Sequence, residues 1–307
     1  MAIEKKLLRL EFSQWVKALR IYQWSKNMLL FLALFMSHKI LEPQLFIQMV
    51  IAFFSFSLCA SAVYIFNDLF DLEADRKHPS KQNRPFASGQ ISALNGKLVI
   101  PMLLFVSFLL SIVFLPKTFT VALIIYLTIT TSYTLYLKEK LVIDVLVLGA
   151  LYTLRVYAGG LSAEIEVSSW LLGFSWFFFL SLAFIKRYTD LLLIKNNNQE
   201  ELLGRGYGVV NLGIVQKTGI ASGFVSLLIL ALYINGDQVM ALYKQPKLIW
   251  ITIPILLYWL MRMWYVAHKG RMTDDPIVFA IKDKISYAMF FAIVIILIVA
   301  ANLNISI

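Results

Sequence analysis

The chain has 307 residues, 60% of them hydrophobic and only 15% charged, with a mean hydropathy of +0.75. A soluble domain of this length has no use for so much apolar surface, so the composition excludes one and indicates a polytopic membrane protein built as a single domain. The net charge of +10 is not a nucleic-acid signal, because the basic residues are confined to short segments between apolar runs.

The first segment, residues 4–23, mixes Leu7, Leu8, Leu10, Trp15, Leu19 and Tyr22 with Lys5, Lys6, Arg9, Lys17 and Arg20. That pattern predicts an amphipathic helix lying in the membrane interface, with residues 1–24 outside the bundle proper. No short apolar core with a small-residue cleavage site follows it, so a cleavable signal peptide is not expected. Apolar runs then recur at about 25–40, 45–68, 92–115, 118–137, 141–163, 167–187, 212–235, 247–266 and 284–304. Each approaches the ~20 residues a helix needs to cross a bilayer. The expected fold is therefore all-α, a bundle of nine transmembrane helices over residues 25–307. Cys59 falls inside the second run and is the single cysteine, which excludes an intramolecular disulfide and a thiolate metal site.

Basic residues set the orientation. With the N-terminus placed in the cytoplasm, the outer segments hold only Lys39, Lys117, Lys244 and Lys247, and Arg155 stays inside a helix. All other lysines and arginines are cytoplasmic. This arrangement predicts a C-terminus outside, in a bacterial inner membrane. The long polar segments after spans two, six and eight then face the cytoplasm, and the active site is expected there.

At the end of the second span stands Asn67-Asp68-Leu69-Phe70-Asp71-Leu72-Glu73-Ala74-Asp75-Arg76. If the helix continues through it, Asp68, Asp71 and Asp75 share one face at i, i+3 and i+7, with Asn67 one turn before Asp71. Three carboxylates at a helix C-terminus oppose both one another and the helix dipole. A divalent cation that prefers oxygen, Mg²⁺ first, removes the conflict and brings phosphate with it. Arg76, Lys77, Lys81 and Arg84 follow as anion-binding groups. Glu73 points away and is expected to pair with Lys77. The competing reading is a solvated acidic cap beside the membrane.

Other ionisable residues sit out of place. Lys186-Arg187-Tyr188-Thr189-Asp190 closes span six, with Arg187 in reach of Asp190 at i+3. It reads as a phosphate clamp opposite the aspartate cluster, or as two basic residues snorkelling to the interface. Arg155 lies deep in span five, on the same face as Asp144 but about 16 Å along the axis from it. So deep an arginine should face a polar cavity or be structurally paired. Gln23-Trp24-Ser25-Lys26-Asn27 opens span one; Trp24 reads as an interface anchor, and Lys26 and Asn27 as phosphate ligands. Gly159-Gly160 suggests close helix packing. Asp283 reads equally as a metal ligand or as half of an Asp–Lys surface pair. No histidine has metal-ligand spacing.

Together these residues resemble a family. Asn67-Asp68-x-x-Asp71-x-x-x-Asp75 after a span is similar to the first aspartate motif of the UbiA-type intramembrane prenyltransferases, nine-helix proteins that use Mg²⁺ to hold a diphosphate. The longer stretch Asn67 to Pro85, with Gln23 to Asn27, Leu154-Arg155, Gly159-Gly160 and Lys186-Arg187-Tyr188, resembles their decaprenyl-phosphate phosphoribosyltransferase branch. The chain departs from most of the superfamily after span six, where one acid and two bases replace a second aspartate motif. The resemblance implies transfer of 5-phosphoribosyl from phosphoribosyl diphosphate to a polyprenyl phosphate. It implies Asp68, Asp71 and Asp75, with Asn67, on Mg²⁺ (Mn²⁺ as a substitute) as the reacting centre. Lys26, Asn27, Arg76, Lys81, Arg84, Arg155, Lys186, Arg187 and Asp190 are then the substrate-binding set. Two alternatives stand beside it: transfer of a prenyl group from its diphosphate to an aromatic or lipophilic acceptor, and a lipid-carrier transporter. A transporter would spread ionisable residues through several spans at mid-membrane depth, whereas here they crowd at the cytoplasmic ends.

Overall fold

In the computed structural model, which describes residues 11–77, 81–202, 204–272 and 275–302, every regular element is helical. The expected interfacial residues 4–10, residues 78–80 of the first polar loop, Asp274 and the end of the last span at 303–304 lie outside the described residues. Among those described, eight helices are long and apolar enough to cross a membrane. They correspond to the second to ninth expected spans.

The remaining expected span, 25–40, takes a different form. After a helix at 11–18 (α1), the chain turns at Arg20 and enters a 3-10 helix over Ile21–Leu30, continued by the six-residue α2, Phe31–Met36. A 3-10 helix rises ~2.0 Å per residue against ~1.5 Å for an α-helix, so the two segments together reach about 29 Å, close to the ~30 Å of a bilayer core. The tight winding has a visible reason. In a 3-10 helix residues three apart line up on one side. The Trp24 indole N–H donates to Ser61 Oγ at 3.0 Å, and the Asn27 amide donates to Ser57 Oγ at 2.9 Å. Three residues of 3-10 helix advance about 6 Å, as do four of α-helix. The two serines, four apart on the next helix, therefore match the two donors, three apart on this one. Trp24 is thus a packing residue here, with its ring edge-on to Phe53 and Phe54.

That next helix, α3 (Pro43–Phe70), begins with Pro43 at its first turn and is the most buried of the spans. It ends earlier than the sequence pattern suggests. Asp71 is its C-terminal cap, and a six-residue helix, α4 (Leu72–Lys77), restarts beyond it. The bonds from the Asp71 N–H to the Asn67 carbonyl and from the Asp75 N–H to the Asp71 carbonyl keep the path close to helical. Glu73 pairs with Arg76 at 2.9 Å rather than with Lys77.

The chain packs as two compact units. The first comprises residues 1–134 and 157–166, the second residues 135–156 and 167–307. In the first, α3 packs on α5 (Ala93–Phe114). Ser55 and Ser107 exchange hydroxyl-to-carbonyl bonds of 2.9 and 2.7 Å, small residues that let the two backbones approach. Helix α6 (Lys117–Leu135) adds Tyr126, whose ring lies 4.3 Å from that of Phe56. Helix α7 (Ile143–Ser162) contributes its last turn to this unit. There Gly159 lies so near the Leu30 carbonyl that a Cβ would overlap it. Gly159 thus serves close packing, as the sequence suggested.

The second unit is built on α8 (Ser169–Asn196) against α9 (Leu212–Ile234), with a short α10 (Asp237–Leu242) after it. Gly219 admits the Trp264 ring and Phe184 between them. Helix α11 (Thr252–His268) leads to the short α12 (Pro276–Lys282) and to α13 (Lys284–Asn302). Asp283 joins these last elements through two bonds from Arg262, at 2.8 and 2.9 Å, and bonds from Ser286. Arg262 is a partner that the sequence context of Asp283 did not suggest. Burial works to raise the Asp283 carboxyl, but the Arg262 and Ser286 bonds outweigh burial and hold it below the usual carboxylate range.

Replacement of Gly159 by alanine should cost about 1–3 kcal/mol, because backbone on both sides must yield. Gly173, where a Cβ would meet only ordinary van der Waals contact with Ile229, should gain about 0.5–1 kcal/mol from the same change through helix propensity. Thermal unfolding of the two variants in detergent should therefore move in opposite directions.

Candidate active site

Asp68 ends α3 with its carboxylate 3% exposed, and Asp75 on α4 is 2% exposed. Two buried acids need cations close by, and Asp68 also opposes the dipole at the C-terminal end of α3. The chain provides them from two directions. Arg84 follows a single 3-10 turn, Lys81–Asn83, and its Nη1 donates to Asp68 Oδ1 at 3.0 Å and to Asp75 Oδ2 at 2.6 Å. One guanidinium nitrogen therefore sits between the two carboxylates. From earlier in the chain, Arg20, just after α1, pairs with the same Asp68 oxygen. Lys81 lies 3.9 Å from the other oxygen of Asp75. Asn67 and Asp71 flank this group and are half-buried.

The donor set has the chemistry for a hard cation. Mg²⁺ takes oxygen ligands and is held by one or two carboxylates together with substrate phosphates rather than by an all-protein cage. Asp68 and Asp75, drawn onto one nitrogen, supply the two carboxylates, and Asp71 and Asn67 supply further oxygens within the same turns. Among the described residues, no three acidic or imidazole side chains converge on a point as a ready cage. The carboxylate and amide oxygens present fit a hard cation of this kind.

In the second unit the Lys186-Arg187-x-x-Asp190 stretch lies on α8. Arg187 is 1% exposed and points its Nε and Nη2 at Asp144 Oδ2, with Nε at 3.0 Å, and its Nη1 at Asp190 at 2.9 Å. Asp144 is fully buried in the first turn of α7, where the helix dipole favours a carboxylate. Its other oxygen accepts from the Tyr207 hydroxyl at 2.6 Å, and Arg205 lies 3.8 Å from Oδ2. Tyr207 and Arg205 belong to a small hairpin closed by the Glu201–Gly208 bridge. The hairpin docks because Gly206, lacking a Cβ, can press against the Glu139 carbonyl. Tyr207 also accepts from the N–H of Val142, a β-branched residue held at φ 67°. Burial first, and the bond to Asp144 second, push the Tyr207 phenol's pKa up, so it stays a proton donor to the carboxylate.

Lys186 is more open, 37% exposed and 3.5 Å from Asp275. Arg155 is buried, donates to its own helix at the Leu151 carbonyl and lies 5.4 Å over the Tyr152 ring. Asp144 therefore pairs across to the next span, and not along its own helix toward Arg155. Lys26 and Asn27 are buried along α3, and Arg76 is exposed beside Glu73. The structure thus brings Asp68, Asp75, Lys81 and Arg84 together in the first unit, and Lys186, Arg187 and Asp190 in the second.

Sequence reasoning overlooked Arg20, Tyr207 and the role of Asp144. A buried acid requires a cation, and that rule alone sends the search beyond the acid's own helix. Nothing in local spacing identifies partners 48, 43 and 63 residues away.

Residues 28–294 match the UbiA prenyltransferase family. The chain is 36% identical to the uncharacterized protein y4nM of Sinorhizobium fredii over 89% of this chain and 53% of that protein, so it spans about half the length of that relative. It is 32% identical to nodulation protein NoeC of Azorhizobium caulinodans over 90% of this chain and 89% of that protein. It is 34% identical to the decaprenyl-phosphate phosphoribosyltransferase of Mycobacterium tuberculosis over 58% of this chain and 60% of that enzyme. Among solved structures, a UbiA homolog from Archaeoglobus fulgidus bound to GPP and Mg²⁺ superposes with a TM-score of 0.70 at 18% identity. The alignment covers 92% of this chain and 99% of that one, a likeness of fold.

Removing Arg84 as Arg84→Gln leaves two buried carboxylates short of a shared cation. Because Arg84 is itself 28% exposed, the cost should be about 1–3 kcal/mol, below that of a fully buried pair. Mg²⁺ at millimolar concentration should recover part of that loss and raise the melting temperature of this variant more than that of the parent. Equal melting of both proteins in metal-free buffer would rule out Arg84 as the counter-ion.

Proposed function

The chain belongs to the UbiA prenyltransferase family, and from that membership we propose that it is a membrane transferase moving 5-phosphoribosyl from phosphoribosyl diphosphate to a polyprenyl phosphate. The observation that carries this reading is the 34% identity to a decaprenyl-phosphate phosphoribosyltransferase across 182 residues. The charge layout supports it: a carboxylate pair under arginines suits a metal diphosphate, and the basic residues elsewhere suit further phosphates.

In this reading Asp68, Asp71 and Asp75, helped by Asn67, hold the divalent cation. Bound there, Mg²⁺ (or Mn²⁺) supplies positive charge against the diphosphate as it leaves. Arg84 and Lys81 take diphosphate oxygens by charge-assisted hydrogen bonds. A polyprenyl phosphate oxygen bonds to ribosyl C1 as the bond from C1 to the diphosphate oxygen breaks, and the electron pair leaves with the diphosphate. An ionised phosphate needs no general base. Lys186 and Arg187 carry positive charge for the other phosphates, Lys186 from an open position and Arg187 from within its carboxylate pair. Lys26, Asn27, Arg76, Arg155 and Asp190 complete the proposed substrate-binding set. We place this chemistry on the cytoplasmic face of a bacterial inner membrane, with the N-terminus inside, on the strength of the lysine and arginine bias.

A second reading, prenyl transfer from a prenyl diphosphate to a lipophilic acceptor, draws on the description of the family as a whole. Incubation with ribosyl-labelled phosphoribosyl diphosphate, polyprenyl phosphate and Mg²⁺ separates the two. Label should enter the lipid phase, and mass spectrometry should find a phosphoribosylated polyprenyl phosphate. Label confined to water, with product formed from a prenyl diphosphate and an aromatic acceptor, would favour the second reading. Asp71→Asn should abolish diphosphate release while leaving the melting curve unchanged, and EDTA should stop turnover until Mg²⁺ is restored. Reporter fusions at residue 1 and residue 307 should show opposite sides of the membrane.

A further inference from the structure

Arg20 is the cation at the acidic group for which the sequence offers no motif. Its guanidinium pairs with Asp68 Oδ1, the oxygen that Arg84 also takes, and lies 4.9 Å over the Tyr64 ring. Its backbone is equally unusual. At φ 51° and ψ 47° it occupies the left-handed region, which non-glycine residues seldom adopt. The turn is fixed by the Arg20 N–H bonding to the Lys17 carbonyl at 3.1 Å and by the Gln23 N–H bonding to the Arg20 carbonyl at 2.7 Å. Strained backbone of this kind persists where surrounding structure holds it, and it clusters at ligand sites. Here it delivers a guanidinium from the end of α1 to a buried carboxylate. The side chain is still 16% exposed, so its head group has an open side.

The charges then conflict if only one ligand is considered. Arg20 and Arg84 both occupy Asp68 Oδ1, an oxygen that a divalent cation would take. A cation arriving alone must displace them and leave two guanidinium groups beside a metal. An anion arriving with it removes that repulsion, and guanidinium matches phosphate oxygens in a two-pronged geometry that lysine lacks.

We propose that Arg20 is a diphosphate-binding residue: it neutralises Asp68 until a divalent cation takes the carboxylate, and then bonds the diphosphate oxygens through both prongs of its guanidinium. The inference rests on the reading that a metal diphosphate binds at the aspartate motif, and not on which group is transferred. It couples α1 to substrate loading, because the arginine stands two residues beyond that helix.

The test uses the full chain in detergent with inorganic pyrophosphate and Mn²⁺ as probes. Mn²⁺ binding is followed by electron paramagnetic resonance, and pyrophosphate binding by calorimetry at saturating Mn²⁺. In Arg20→Gln, Mn²⁺ alone should bind as tightly as in the parent or more tightly, because a competing cation is gone. Pyrophosphate should bind at least tenfold more weakly. Arg20→Lys, which keeps the charge and loses the fork, should fall between. Unchanged pyrophosphate affinity in Arg20→Gln overturns the proposal, as does a parallel loss of Mn²⁺ and pyrophosphate affinity, the mark of a merely structural residue. If Arg20→Gln does not fold, parent-like pyrophosphate affinity in Arg20→Lys overturns it instead. Pyrophosphate is common to prenyl and phosphoribosyl donors, so this result stands or falls separately from the labelled-product assay.

Discussion

Two carboxylates buried where a membrane helix ends are the costliest feature of this chain, and the guanidinium groups around them are what make it tolerable. Asp68 and Asp75 are shielded from water, and an uncompensated charge in such surroundings would be neutralised or would unfold its support. Arg84 meets both acids through one nitrogen, and Arg20 meets the Asp68 oxygen that Arg84 also takes. Around that arrangement the local structure follows. The break at Asp71 between α3 and α4 leaves Asp75 within reach of Arg84. The 3-10 turn at Lys81–Asn83 aims Arg84 inward. The left-handed residue at the end of α1 aims Arg20.

The second unit solves a related problem with a different composition. Asp144 is satisfied by Arg187, Tyr207 and its own helix N-terminus, and Arg187 by Asp144 and Asp190. Here the arginine and the first acid are almost wholly out of water. The first unit's network is more open at its basic side chains, with Arg84 and Lys81 partly exposed.

Much of this was legible in the sequence. Long apolar runs reported eight helices because length and composition decide membrane insertion whatever the tertiary contacts. The aspartate motif was visible because acids next to a span are rare enough to demand an explanation. The pairing of Arg187 with Asp190 followed from helical spacing. The rest depended on contacts between distant segments. Asp144 was read against Arg155 because both lie on one helix face, yet the fold satisfies it from α8 and from a hairpin more than sixty residues on. Arg20 looked like one more cation of an interfacial helix, since nothing near it in sequence distinguishes it from Lys17. Trp24 looked like a membrane anchor because its hydrogen-bond partner, Ser61, belongs to another span.

The 3-10 winding of residues 21–30 has a bearing on how apolar stretches of this kind are read. Ten residues wound this way advance about as far as thirteen in an α-helix. A short apolar run can therefore keep pace with a longer neighbouring helix. Where serines recur every fourth position on one apolar segment and hydrogen-bonding side chains every third on its neighbour, the two stay in step without equal numbers of residues.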